Sequence, residues 1–333
     1  MEGKVNRRSL PRLLFCFLTY FALFISTEGG AQERERLRVS TLFLGSSLLP
    51  IWVAHDQGIF TRAGLDVQLV WMQSGLSTSA LLAGEVDAIF GTPQITLTAL
   101  AAKNPPPLVA IAAWGSASEH WLVVDSSIRS VKELENKTLA TSRPKSADHG
   151  YIIAILERFG LDPKRVTFLA AGGQGGRLAA VQSGRVAGSV FNRYYTLRLK
   201  KDGYRAIEKL ERPDYPFPPS TLFVRKDSLQ NKRKALQSFL VALMEATERQ
   251  KRDKELCLRL IRKNLRLNDP EVVEAAYEDG VTLSYPFFTD RQFQVALDLM
   301  SKGLGQAVDL SYKQVVDTVL VEEVARSVAA KPG

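Results

Sequence analysis

Short apolar runs alternate with amphipathic stretches along most of the chain after Arg38. LRVSTLF (37–43) reads as a strand, residues 50–63 as helical turns broken at Gly58 and Gly64, and LDVQLVWM (65–72) as a second strand. Residues 76–83 predict a helix closed by Gly84, and VDAIFG (86–91) a buried strand. Pro93 suits the first turn of a helix that runs to about Asn104, and PPPLVAIAAW (105–114) gives a turn and a further strand. Strands separated by helices of this length imply βαβ units and a parallel sheet, hence an α/β fold.

The same grammar restarts after residue 123. Ser130-Val-Lys-Glu133 is a capping box, 137–142 a strand, 147–159 a helix ended by Gly160, and 166–170 a strand. Residues 175–183 predict a helix ended by Gly184, 186–191 a strand, and 194–202 a helix ended by Gly203. Ala80 to Phe90 lines up with Ala180 to Val190 at an offset of 100. Each copy is a helix end, a glycine able to turn the chain at positive φ, and a buried strand. The echo and the restarted alternation together predict two similar α/β lobes. The tail differs: Pro213, Pro216, Pro218 and Pro219 exclude a helix interior, and 220–227 is one more strand. Beyond Leu229 the periodicity is helical, over 235–249, 254–264, 270–279, 291–301 and 312–328. Asp269-Pro270, Thr289-x-x-Gln292 and Ser311-x-x-Gln314 are good helix starts.

The first residues carry a different signal. Lys4, Arg7, Arg8 and Arg12 precede an uncharged run over 13–26, too short to span a bilayer but suited to a signal-peptide core. Gly29 and Ala31 fall at small-residue positions. Residues 1–31 are therefore expected to be a signal peptide removed after Ala31, an uncleaved anchor being the alternative, and the mature protein to be periplasmic.

Composition narrows the class. At 333 residues, with 45% hydrophobic and 24% charged positions and a mean hydropathy near zero, the chain is neither disordered, collagen-like nor a polytopic membrane protein. At that length a single core stops growing, which again favours two lobes. Cys16 and Cys257 build neither a disulfide framework nor a zinc site, and the net charge of +9 is spread along the chain rather than gathered into a nucleic-acid tail.

A catalytic constellation does not emerge. His55, His120 and His149 lack metal-ligand spacing, and Gly115 to Glu119 resembles a nucleophile elbow only in composition. Gly172 to Arg177 lacks the spacing of a dinucleotide loop. No catalytic residue, cofactor or metal is expected. What stands out is a set of polar loops after strands and before helices. In the first lobe they present Ser46 and Ser47, Ser74 and Gly75, Thr92 and Gln94, and Trp114. In the second they present Ser142, Lys145 and Ser146, Gly173, and Asn192 and Arg193. The carboxyl ends of an open α/β sheet, with helix N-termini beside them, are where ligands bind. Singly each loop is ordinary turn chemistry; as two facing sets they predict a ligand site in a cleft. Trp114 is either a stacking wall or a core indole. Arg177 reads as a surface or structural residue, one of Tyr194 and Tyr195 as core, and His120-Trp121 as hinge packing or ligand contact near the lobe crossing.

At PIWVAHDQGIF-TRAGLDVQLV (50–70) the chain resembles the nitrate, sulfonate and taurine solute-binding proteins of bacterial ABC importers, which share a domain with the thiamine-pyrimidine synthases. Ala54, Gly58, Phe60, Gly64, Leu65, Asp66 and Val67 match the family pattern. LLAGEVDAIFGTP (81–93), VKELENKTLATS (131–142), LERFGLDPKRV (156–166) and Gly172 to Arg177 extend the likeness over most of 37–280. The resemblance implies a type II periplasmic-binding-protein fold, with lobe one formed by 37–122 and 220–330 and lobe two by 123–219. HWLVV (120–124) and STLFV (220–224) would be the hinge strands. It also implies capture of a small anionic or polar organic ligand, sulfonate-, carboxylate- or nitrate-like, by lobe closure. The partner would be a membrane permease rather than a nucleic acid, and the protein a monomer. The alternative is an enzyme on the same fold acting on a pyrimidine or pyridine. The synthase branch carries a cysteine cluster and an active-site histidine, for which Cys257 alone is a poor basis. One departure is Ala187, where the family often repeats the aspartate seen at Asp87; a surface change is expected there.

Overall fold

The predicted alternation folds into two open sheets of the same design. A computed structural model describes residues 34–41, 44–72, 74–114, 120–216, 218–281 and 289–330; the predicted leader lies outside them. In chain order the first lobe runs β1 (Glu35–Thr41), α1 (Leu49–Asp56), α2 (Ile59–Arg62), β2 (Leu65–Trp71), α3 (Ser74–Ala83), β3 (Ala88–Gly91), α4 (Gln94–Leu100) and β4 (Leu108–Trp114). The second runs β5 (His120–Val124), β6 (Thr138–Thr141), α5 (Ala147–Arg158), β7 (Thr167–Ala170), α6 (Gln174–Gln182), β8 (Gly188–Asn192), α7 (Arg193–Lys201) and β9 (Arg205–Lys209). The chain returns through β10 (Ser220–Arg225) and ends in α8 (Ser228–Asn231), α9 (Arg233–Arg252), α10 (Lys254–Leu265), α11 (Pro270–Val281), α12 (Asp290–Leu304), α13 (Tyr312–Val315) and α14 (Val319–Ala329).

Among the described residues the sheets have the orders β2-β1-β3-β10-β4 and β7-β6-β8-β5-β9. The offset of 100 read from the sequence recurs in the pairing. Val39 faces Ala88 and Leu139 faces Gly188, while Ser40 faces Ile89 and Ala140 faces Ser189. Gly84 and Gly184, with φ of 76° and 70°, make the equivalent left-handed turns that a side chain would strain. In each sheet the antiparallel strand arrives after a crossing: β10 between β3 and β4, β5 between β8 and β9. All of β5 lies in the second sheet, so the chain has crossed by His120, ahead of the boundary expected at 122/123.

The long helix α9 buries Leu236, Phe239, Leu240, Leu243 and Thr247 at helical spacing and packs on the first lobe, where Phe239 stacks on Phe60 at 5.5 Å. Helix α12 is buried on two sides. Val295 and Leu299 join the core of the second lobe, while Phe293, Ala296, Leu297 and Met300 join a core under the first sheet. Thr289 and Gln292 form the capping box that starts it, and Ser311 with Gln314 forms another at α13.

Three expectations change. The helix expected over 312–328 breaks because Val316 is extended (φ −113°, ψ 128°) and bridges to Ala110, with the Asp317 N–H on the Ala110 carbonyl at 2.9 Å. The segment thereby covers the outer edge of β4. Ala187 is not a surface change: it is half-buried against the second core. Its counterpart Asp87 is buried, accepting from the Arg38 N–H and from Lys232 Nζ, both at 2.7 Å. The backbone role is shared by both, since Asp87 N donates to Arg38 O and Ala187 N to Thr138 O. Strand β9 was absent from the sequence pattern because its residues, Arg-Ala-Ile-Glu-Lys, show the mixed polarity of an edge.

Candidate functional site

In each sheet the chain winds outward from a central pair of parallel strands, β1 with β3 and β6 with β8, and the direction of winding reverses between them. The crevice beyond the carboxyl ends of such a pair is the natural ligand position. In the first lobe that crevice is bounded by the short turn Ser46–Leu48 after β1 and by the start of α4 after β3. Ser46 is buried and Ser47 half-buried, and the Ser47 hydroxyl has no hydrogen-bond partner. Thr92 is half-buried in the link from β3 to α4, and Gln94, the first residue of that helix, is only 3% exposed. Neither the nitrogen nor the oxygen of the Gln94 carboxamide has a partner. Ser74 and Gly75 open α3 after the neighbouring edge strand β2.

The second crevice is built on a buried ionic cluster. The Asp148 carboxylate takes the Ser142 N–H at 2.6 Å and lies 3.3 Å from Arg177 Nη1. That same nitrogen donates to the Ser142 hydroxyl oxygen at 2.5 Å. Arg177 is thus a buried, paired structural residue, its guanidinium 5.9 Å from the Phe191 ring centre. The Ser142 hydroxyl accepts that bond and keeps its own proton to donate. At the end of β6 the buried Thr141 hydroxyl has no partner, nor has Arg177 Nε. Ser146 caps α5 in extended conformation and its hydroxyl donates to the Arg143 carbonyl at 2.7 Å. Lys145 has an exposed side chain and a left-handed backbone (φ 63°), and its N–H donates to His149 Nδ1 at 3.2 Å. Burial lowers the His149 pKa, the nearby Asp148 charge opposing it. Gly173 is the exposed cap of α6.

Three of the expected ligand contacts have other work. Trp114 is 1% exposed in the first core and its indole N–H donates to Thr247 Oγ1 at 3.2 Å, so it is a core indole and no stacking wall. Asn192 is committed to capping: its side-chain oxygen accepts the Tyr195 N–H at 3.2 Å, and its own N–H donates to Gln174 Oε1 at 3.1 Å. Arg193 pairs with Glu278 and lines a groove of about 490 Å³ along the seam between α7 and α11, with Trp121 on its wall. Tyr194 is the core member of its pair, and burial raises its pKa. His120 stays with the crossing, where its N–H and Nδ1 meet Glu211 at 2.8 and 3.2 Å.

Two C-terminal helices each contact elements next to both crevices. The end of α11 joins the loop after β1 to the loop after β8. A Cβ on Gly280 would stand 2.8 Å from the Ser46 carbonyl, while the adjacent Asp279 acts on Tyr194. Helix α12 joins the helices that begin at the other two loops. Met300 Sδ accepts from Thr98 of α4 at 3.3 Å, and a Cβ on Gly303 would meet the Ser146 carbonyl at 3.2 Å. The sequence did not single out Thr141, Asp148 or Gln174. Thr41 and Thr141 end equivalent strands at the offset of 100, a signal that could have found the first.

A family model described as NMT1/THI5 like matches residues 46–253. The fold is similar to that of the alkanesulfonate-binding protein SsuA from Xanthomonas axonopodis pv. citri (TM-score 0.67, 18% identity, 88% of this chain and 98% of that one). It is similar also to the aliphatic sulphonate binding protein SsuA from Escherichia coli (0.67, 17%, 85% and 92%). A third similar structure is the periplasmic nitrate-binding protein NrtA from Synechocystis PCC 6803 (0.67, 13%, 90% and 90%). A search of curated protein sequences finds no match.

Proposed function

Because the chain belongs to the NMT1/THI5-like family, we propose that it is an extracytoplasmic solute-binding protein of an ABC importer, closing its two lobes on a small polar organic molecule and handing it to a membrane permease without altering it. The observation that carries this reading is the position of the unpartnered buried groups. Ser47 and Gln94 flank the reversal point of the first sheet, and Thr141 lies beside that of the second. A buried polar atom without a partner costs about 1–3 kcal/mol, and a ligand spanning both crevices would supply the partners. Sulfonate and nitrate are what the similar structures are named for. A leader ending near Ala31 and function as a monomer belong to the same proposal.

The one free cysteine among the described residues offers no thiol nucleophile to the enzyme alternative. Cys257 is fully buried, and burial pushes its thiol up to about 11, which keeps it protonated and unreactive at neutral pH. The test is a thermal-shift screen of small polar solutes on protein lacking residues 1–31, followed by recovery of the solute. A ligand that binds the folded chain raises its melting temperature by mass action. The solute should be recovered unchanged; a chemically altered one would favour an enzyme.

A further inference from the structure

Gln94 carries a donor and an acceptor side by side, and both are buried without partners. Its backbone is well used: it opens α4, and its carbonyl accepts from Thr98 Oγ1 at 2.7 Å. Only the carboxamide is idle, on the helix that starts beside the reversal point of the first sheet. The conclusion does not depend on which terminal atom is nitrogen, since either orientation presents one donor and one acceptor. A sulfonate, carboxylate or nitrate offers acceptors only. It could take the Gln94 amide hydrogens, but it would set its lone pairs against the Gln94 oxygen. The buried charge points the same way: Arg177, the buried cation of the second crevice, is already matched by Asp148, and Lys145 beside it is exposed to solvent.

Resting on the solute-binding reading above, we infer that the ligand is an uncharged molecule with an amide-type edge, donor beside acceptor, and that Gln94 is the residue that selects it. Carboxamides, ureas and lactams have such an edge. Selection would arise because an acceptor-only ligand leaves the buried Gln94 oxygen unpaired, a far larger discrimination than shape alone provides. The same residue then weakens the ligand-free fold, because its polarity is satisfied only in the complex.

The test combines the Gln94→Leu variant with matched probes. The probes are urea against nitrate, benzamide against benzoate and benzenesulfonate, and 2-pyrrolidinone against methanesulfonate. Without any probe, Gln94→Leu should melt about 2–5 °C above the unsubstituted protein, since an idle polar pair is replaced by an apolar side chain of similar size. The amide member of a set should raise the melting temperature of the unsubstituted protein and leave that of the variant unmoved. A variant that melts at the same temperature or lower would show that Gln94 is held in the ligand-free chain and would overturn the inference. Shifts by nitrate, carboxylates or sulfonates that persist in Gln94→Leu would overturn the amide edge while leaving solute capture intact. A bound probe that produces no lobe closure in scattering would instead defeat solute capture by closure, and the melting result for Gln94→Leu would stand apart from it.

Discussion

Gly150 sits in α5 where that helix crosses α12, and a Cβ built on it would lie 2.1 Å from the Leu299 carbonyl oxygen. Real Cβ atoms do not come within 3.0 Å of a neighbour, so Gly150→Ala forces the helices about 1 Å apart. The atom in the way is backbone and cannot rotate aside. Helix α12 cannot follow freely either, because Phe293, Leu297 and Met300 hold it in the first lobe's packing while Leu299 holds it to the second. Overpacking of this kind costs about 1–3 kcal/mol. The ordinary gain from replacing a helical glycine by alanine, about 0.5–1 kcal/mol, opposes it. A net loss of about 1–2 kcal/mol lowers the melting temperature by about 2–4 °C. Gly175 in α6 is the control, since nothing lies within 4 Å of a Cβ placed there. Gly175→Ala should therefore keep the helical gain and melt slightly higher. Calorimetry on the two variants decides the matter: equal melting temperatures, or a rise for Gly150→Ala, would refute the claim that backbone contact sets the α5–α12 spacing.

The remaining predictions concern the buried charges and the core indole. Arg177→Met leaves the Asp148 carboxylate buried without its cation and should cost about 3–5 kcal/mol in urea unfolding, with part recovered by adding Asp148→Asn; no recovery would mean the pair is not coupled. Asp87→Ala should destabilise by a few kcal/mol through Lys232 and the Arg38 N–H, whereas Ala187→Gly in the second copy should cost about 1 kcal/mol or less. Because the folded pKa of His149 lies below its ordinary value of 6.5, the unfolded chain takes up that proton first. The His149 contribution is therefore present above that value and lost as pH falls through the lowered one; His149→Gln should flatten the stability profile below pH 6.5. Thr247→Val removes the partner of the Trp114 indole and should cost about 1–2 kcal/mol without changing any ligand-induced shift.

Most of the fold was legible because it rests on local periodicities. The alternation of strands and helices gave the two lobes, and the repeat of Ala80 to Phe90 at Ala180 to Val190 gave their equivalence, which the register Val39–Ala88 and Leu139–Gly188 repeats. Boundaries set by tertiary contact were less visible. The break at Val316 depends on Ala110, two hundred residues earlier in the chain, and no local pattern announces it. The candidate site is readable in the sequence only as loops, since strand ends followed by Ser, Thr, Gly and Asn recur in both halves. Which side chains are idle is not. Asn192 and Arg193 look like ligand partners in sequence, but a helix start and Glu278 engage them. Gln94 looks no different from them until its burial and missing partners are seen together.

Solution X-ray scattering, with and without a probe that has raised the melting temperature, tests the central claim most directly. A ligand shared by the two crevices favours the closed lobes by its extra contacts there, and only that difference can shift the balance. The radius of gyration should fall on saturation, and the Ser47→Ala and Thr141→Val variants should need more probe to reach the same compaction. An unchanged radius at saturating probe would contradict capture between the lobes.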